Sequence, residues 1–405
     1  MKRVVITGIG IISSIGNNKE EVLKSLIGAK SGIKFNEEFA KYGLRSTISG
    51  QINVEFNDYI HKKKLKYTGE AGAYAHIAMK EAIADSKLTK QEYSSTQAGI
   101  VAGSGGASSE DQVVCADVLR QKGIKKVSPY TITRIMGSSI SAALATDYNI
   151  KGISYSINSA CSTSAHCIGH GYELIKQGKN KIIFAGGAEA IHWTLAAGFD
   201  AMKALSSRSN DAPELASCPY SQDRDGFVAS GGGGIVVLEE YEHAKSRNAK
   251  IYGEVTGYHA NSDGNNMVLP SGEGAERCMI EALKENKKPV DYINTHGTST
   301  VMGDIIELKA IKNIFNNEIP PISSTKAISG HALGASGVHE IIYSTLMMQN
   351  NFICPSVNIR AMDEEAKNFP IITEHNYQKN INSFMSNSFG FGGTNACVIV
   401  NKIKT

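Results

Sequence analysis

Ile153-Ser-Tyr-Ser-Ile-Asn-Ser-Ala-Cys-Ser-Thr-Ser-Ala165 starts as a strand-like run, narrows to small residues around a cysteine, and turns helical at Ser164. Further along, Ile322-Ser-Ser-Thr325, Gly330-His331 and a helical pattern from Ser336 repeat that layout. Cys161 stands eight residues after Ile153, and Gly330 eight after Ile322. Each unit then runs into another extended stretch, 181–185 in the first and 352–355 in the second. Gly231–Gly234 precede Ile235-Val-Val-Leu238, much as Gly392-Gly393 precede Val398-Ile-Val400. Two strand–turn–helix halves of this kind would set their turns side by side at a pseudo-twofold axis. Unrelated α/β chains also show such echoes, so the repeat stands as an expectation.

The rest of the chain fits an α/β protein with a largely parallel or mixed sheet. Strands are predicted at 3–7, 98–102, 181–185, 234–239 and 292–294, and helices at 19–27, 72–84, 164–176 and 336–348. At 405 residues the chain exceeds what one core usually supports. Two domains are expected, 1–247 and 248–405, meeting near the charged stretch 245–250. The N-terminal Val4-Val-Ile6 reads as a buried strand entering a glycine turn, because Gly8, Gly10 and Gly16 interrupt any signal-peptide core. Nowhere do about 18 apolar residues run unbroken, so no membrane span is predicted.

A net charge of +3 is too small for a surface built on nucleic acid. Seven cysteines lack the even spacing of a disulfide framework and contain no CxxC knuckle, which fits reduced thiols in a cytoplasm.

Cys161 differs from the other six in its setting. A thiol where a strand ends and a helix begins meets unpaired N–H groups and the positive end of the helix dipole, which favour a thiolate. The same N–H groups could hold an oxyanion on an attacked thioester. A buried structural cysteine is the competing reading. Asn294-Thr-His-Gly-Thr-Ser-Thr300 places His296 at the carboxyl end of a strand, with Thr298 and Thr300 able to bond a polar substrate arm. Ser323 to Gly337 carries Lys326 and His331 on a glycine-rich turn; the lysine would help keep the histidine neutral. Turn histidines and a surface lysine are the plainer alternatives. Metal ligation by Cys161, His296 and His331 is disfavoured by the lack of close ligand pairs. Ser386-Asn-Ser-Phe-Gly-Phe-Gly-Gly-Thr-Asn395 is followed by a strand, whereas a dinucleotide fingerprint needs a helix there. Phe389 and Phe391 suit an apolar gate.

Taken in order, these segments resemble the elongating β-ketoacyl–acyl-carrier-protein synthases of the thiolase-like superfamily, most of all the bacterial type I enzymes. The resemblance runs from Val4-Val-Ile-Thr-Gly-Ile-Gly10 to the Phe-Gly-Gly-Thr-Asn loop. Arg224-Asp-Gly-Phe-Val228 before four glycines looks like type I. The resemblance implies a five-layer αβαβα homodimer with no required cofactor. It further implies Cys161 as acyl carrier, His296 and His331 as donors in decarboxylative condensation of malonyl-carrier protein, and Lys326 as an electrostatic orienter. The N–H groups of Cys161 and Phe391 would form the oxyanion pocket. A monovalent cation is implied near Asn294, Glu340, Ser386 and Asn387. Lys62, Lys63, Lys66, Lys122 and Lys125 are candidates for docking the acidic carrier protein, and the small Gly106 hints at room for an acyl tunnel. Rivals are a type II synthase, a thiolase, a cysteine hydrolase and a non-catalytic polyketide partner subunit.

Overall fold

Ten strands hydrogen-bond into one sheet whose order reads as the same five-strand motif twice. In chain order they are β1 (Val4–Ser13), β2 (Ala98–Gly103), β3 (Ser154–Tyr155), β4 (Ile182–Glu189), β5 (Gly232–Glu240), β6 (Gly253–Ser262), β7 (Tyr292–Asn294), β8 (Ile322–Ser323), β9 (Ser383–Gly390) and β10 (Thr394–Asn401). Across the sheet they run β8-β7-β9-β10-β6-β1-β5-β4-β2-β3. From the centre outward, β1, β5, β4, β2, β3 on one side match β6, β10, β9, β7, β8 on the other. The senses match as well: β2–β3, β2–β4, β7–β8 and β7–β9 are parallel, while β4–β5, β5–β1, β9–β10 and β10–β6 are antiparallel. Only Val4, Val5 and Ile6 of β1 pair with β6 across the centre. This computed structural model describes residues 1–106, 108–375 and 377–403.

Helices α1 (Glu70–Ser86), α2 (Ser139–Tyr148), α3 (Thr163–Lys176), α4 (Glu273–Glu285), α5 (Gly303–Phe315) and α6 (Ser336–Asn350) complete the repeat. α1 covers β1 and β5, and α4 covers β6 and β10 in the same way. α3 and α6 pack on each other between the two half-sheets. Outer helix, half-sheet, inner helices, half-sheet and outer helix make five layers. Three apolar cores correspond: one between the half-sheets, including Ile168, Val338 and Phe384, and one under each outer helix layer. Each fully buried Leu or Ile contributes on the order of 1.5–3 kcal/mol.

All nine predicted elements are present, with ends shifted by a few residues. Three details differ. β1 does not end in a glycine turn; it continues to Ser13, and its glycines permit close approach instead. A Cβ on Gly8 would lie 2.6 Å from Ala82 O, and one on Gly10 would lie 2.0 Å from Ala78 O, both on α1. The repeat is also offset from its spacing. Cys161 lies in the short 3-10 turn Ala160–Ser162 before α3, whose counterpart before α6 is Leu333–Ala335, so Gly330 and His331 sit one turn earlier. Finally, 352–355 is no counterpart of β4. That role belongs to β9, while Phe352–Ile353 pairs with Tyr377–Gln378 in a separate two-stranded sheet. Among the described residues no helix is long and apolar enough to cross a membrane.

Candidate active site

Ala160 adopts φ +49°, a left-handed conformation unusual for a residue with a Cβ, and so presents Cys161 on a sharp turn at the head of α3. Cys161 lines a cavity of about 340 Å³ together with Phe199, His296, His331, Phe389 and Phe391. The three distant segments therefore meet. The N–H groups of Phe391 and of Cys161 itself bear on the sulfur and favour its ionised form, as does the Lys326 charge. Burial outweighs them and pushes the thiol up to about 12. Desolvation thus opposes the thiolate that the N–H groups at the helix start favour.

His296 follows β7, and its N–H and that of Gly297 donate to the two oxygens of Glu307 on α5, each at 2.9 Å. Asn387 Nδ2 donates to the same carboxylate at 3.1 Å. His331 is fixed by its N–H to Val228 O (2.8 Å), by Ser230 N–H to its own carbonyl (2.9 Å), and by Ser336 Oγ at 2.8 Å from Nδ1. The two imidazoles meet edge to face, with centroids 5.3 Å apart and planes at 87°. Phe227 packs edge-on against His331 and Phe389 against His296.

Burial lowers both histidine pKa values well below the ordinary 6.5, and the Lys326 charge adds to the effect, so both rings are neutral. Nδ1 of His296 is buried without a partner. An unpaired acceptor there is cheaper than an unpaired N–H, so the hydrogen sits on Nε2. Lys326 forms an ion pair with Glu340, both 2% exposed. Burial raises Glu340 and Glu307 to about 7 each.

Thr298 and Thr300 line the cavity with hydroxyls 3.1 Å apart. Their loop hangs on buried Arg224, whose guanidinium donates to the carbonyls of Ser221, Thr300 and Val301 and to Asp363. Exposed Val301, Met302, Val268 and Leu269 give the cavity an apolar rim. Gly106 is not among the lining residues: its N–H donates to Glu189 Oε1 at 3.1 Å, and the space beyond its Cα is closed by Leu195 at 3.1 Å. Lys62, Lys63 and Lys66, in or beside the short helix Lys62–Leu65, are exposed, as are Lys122 and Lys125 at the end of helix Ser109–Lys122 and in the turn after it. A reading of the sequence misses Glu307 and Arg224 as parts of the site. The acidic pair Asp304 and Glu307, soon after the threonine-rich loop, is the available signal.

Two family models match this chain: the beta-ketoacyl synthase N-terminal domain over residues 1–244 and the beta-ketoacyl synthase C-terminal domain over residues 252–360. The chain belongs to the β-ketoacyl synthase family. It is 54% identical over 400 residues to the 3-oxoacyl-[acyl-carrier-protein] synthase 1 of Haemophilus influenzae, covering 98% of each chain. Identity to the 3-oxoacyl-[acyl-carrier-protein] synthase 2 of Rhizobium meliloti is 38% over 419 residues, covering 99% of each. The crystal structure of a beta-ketoacyl synthase from Burkholderia phymatum superposes with a TM-score of 0.94 at 32% identity, over 100% of both chains. This family membership agrees with the resemblance read from the motifs, and the thiolase-like architecture with the fold of the solved ketosynthase.

Proposed function

We propose that the protein is a 3-oxoacyl–acyl-carrier-protein synthase that elongates fatty acids by decarboxylative Claisen condensation. One observation carries the reading: a cysteine under two N–H donors shares a single cavity with two neutral, edge-to-face imidazoles. Cys161 takes the acyl chain from a carrier-protein thioester, with the attacked oxygen held by the N–H groups of Cys161 and Phe391. Malonyl-carrier protein binds next. His296 and His331 donate through Nε2 to its thioester carbonyl; these bonds strengthen as loss of CO₂ turns that carbonyl into an enolate, which favours the transition state. The carbanion then attacks the acyl carbonyl and the Cys161 sulfur leaves. Lys326 keeps both rings neutral, and Thr298 and Thr300 bond the pantetheine arm.

Greater identity to a synthase 1 than to a synthase 2 favours the type I reading. A thiolase would need a second catalytic cysteine, yet Cys397 lies inside β10 and is fully buried. Incubation with acyl- and malonyl-carrier protein, then mass analysis of products and of the Cys161 peptide, tests the proposal. A β-ketoacyl product and an acylated Cys161 are expected; free acid without carbon–carbon bond formation would make the protein a hydrolase.

Three further parts belong to this reading. The five exposed lysines dock the acidic carrier protein, and the enzyme works in the cytoplasm. Helix Ser109–Lys122 has no buried residue and exposes Val114 and Leu119, and the edge strand β3 is exposed as well, which suits a homodimer contact. No cofactor takes part in the chemistry. Asn294 Oδ1, Glu340 Oε2 and Ser386 Oγ are buried without partners, and Ser386 stands opposite Asn294 across the sheet, whereas Asn387, the next residue, turns its amide to Glu307 on the other face. Such an all-oxygen set fits a monovalent cation, which would neutralise the unpaired Glu340 oxygen. Replacing potassium with choline should lower Tm in the wild type but not in Ser386→Ala; an equal response in both would remove the cation.

A further inference from the structure

The two N–H groups that bear on the Cys161 sulfur belong to opposite halves of the chain, so something must fix their spacing. Three side chains bridge the segments that carry them. Fully buried Ser162 has Oγ 2.7 Å from Thr394 O and 2.9 Å from Ser388 O, and its single hydrogen is shared between the two carbonyls. Thr394 Oγ1 donates to Ser159 O at 3.0 Å. His166, in the first turn of α3, has Nε2 3.1 Å from Asn395 O and Nδ1 2.6 Å from Ser159 Oγ. A carbonyl only accepts, so Nε2 carries the hydrogen and Nδ1 accepts from the Ser159 hydroxyl. Burial holds the ring neutral, which suits that one-donor, one-acceptor role.

The two segments touch with no space to spare. A Cβ on Gly390 would lie 2.9 Å from Ser159 O and 3.2 Å from Cys161 N. His296 and His331 hang on a different set of partners, Glu307 for one and Val228, Ser230 and Ser336 for the other. The structure thus divides its braces between the two halves of the reaction.

We propose that His166 and Ser162 are positioning residues for acyl transfer to Cys161, setting the distance between its two N–H donors while leaving malonyl decarboxylation untouched. This rests on the reading that Cys161 is the acyl carrier. In that step the sulfur attacks the thioester carbonyl, the carrier's thiol leaves, and the proton given up by Cys161 returns to that thiol. No oxidant or reductant enters.

The test separates the half-reactions in full-length protein. Acylation of Cys161 by acyl-carrier protein is monitored by intact-protein mass, and CO₂ release from malonyl-carrier protein is measured in a Cys161→Ala background, which cannot be acylated. His166→Phe and Ser162→Ala should each slow acylation by roughly tenfold or more, a fraction of the loss expected for a whole oxyanion donor. Decarboxylation should stay within about twofold of the parent. His166→Gln, whose amide N–H can still reach Asn395 O, should recover part of the loss. Undiminished acylation, or equal losses in both half-reactions, would overturn the inference. Ser162→Ala removes a single oxygen and keeps the test alive if His166→Phe does not fold. Absence of acylation in the wild type would instead sink the functional reading itself.

Discussion

A neutral histidine pair donates hydrogen bonds only while each ring keeps its hydrogen on the cavity side, and the Ser336 hydroxyl, able to donate to Nδ1, is compatible with that tautomer at His331. His331→Ala should therefore lower condensation by about 10²–10³-fold while Cys161 acylation remains measurable. Quantifying acyl-enzyme and β-ketoacyl product in the same reaction checks this. Glu307 offers a second residue-level test. Its carboxyl sits at about 7 in the folded protein against an ordinary 4.5, so its contribution to stability is full below 4.5 and lost as pH rises through 7. Asp304, raised to about 6, and Glu340 act in the same direction. Thermal scans between pH 5 and 8 should show Tm falling, with a flatter curve in Glu307→Gln; the Glu307 share is on the order of 3 kcal/mol. A Tm that rises over this range, or a variant with the wild-type slope, contradicts the assignment.

Strand and helix periodicity brings most of the elements into view, but what glycine means within a strand depends on what lies above it. Gly8 and Gly10 read as punctuation because glycine is the usual turn residue; only α1 packed against β1 shows them to be clearance. Gly10→Ala should cost about 1–3 kcal/mol or more, since the obstructing atom is a backbone carbonyl. Gly137, with nothing within 4 Å of its Cβ position, should tolerate alanine within about 0.5 kcal/mol. Chemical denaturation of both variants decides. The offset of Cys161 from Gly330 has a similar origin, because equal spacing in sequence does not register the extra turn before each inner helix. Desolvation at the sulfur, which opposes the thiolate, is a quantity that no local motif records. The cysteine's position is legible, as are both histidines and Lys326, because each stands at the end of a recognisable strand or the start of a recognisable helix.

At the scale of the whole molecule, one half supplies the sulfur and the other supplies both imidazoles, the lysine and the second N–H donor. Docking belongs to this scale too. Carrier protein held by exposed lysines should be released by salt, so KM for carrier-linked substrates should rise several-fold between about 0.05 and 0.3 M salt, while KM for small thioesters barely moves. A parallel rise in both would remove the lysine patch from the account. Salt acts on the long approach between the two proteins, and the enclosed cavity is screened much less.

α3 and α6 cross so tightly at their first turns that a Cβ on Gly337 would lie 2.7 Å from Ala165 N. Val338 N–H at the head of α6 donates to Ser164 Oγ at the head of α3 at 3.0 Å, which locks the two helix starts together and keeps the positive end of the α3 dipole at Cys161. Backbone dipoles do not titrate and cannot swing away. The pull that the start of α3 exerts on charge at Cys161 is consequently the same in acid and in alkali, whichever substrate happens to stand in front of it.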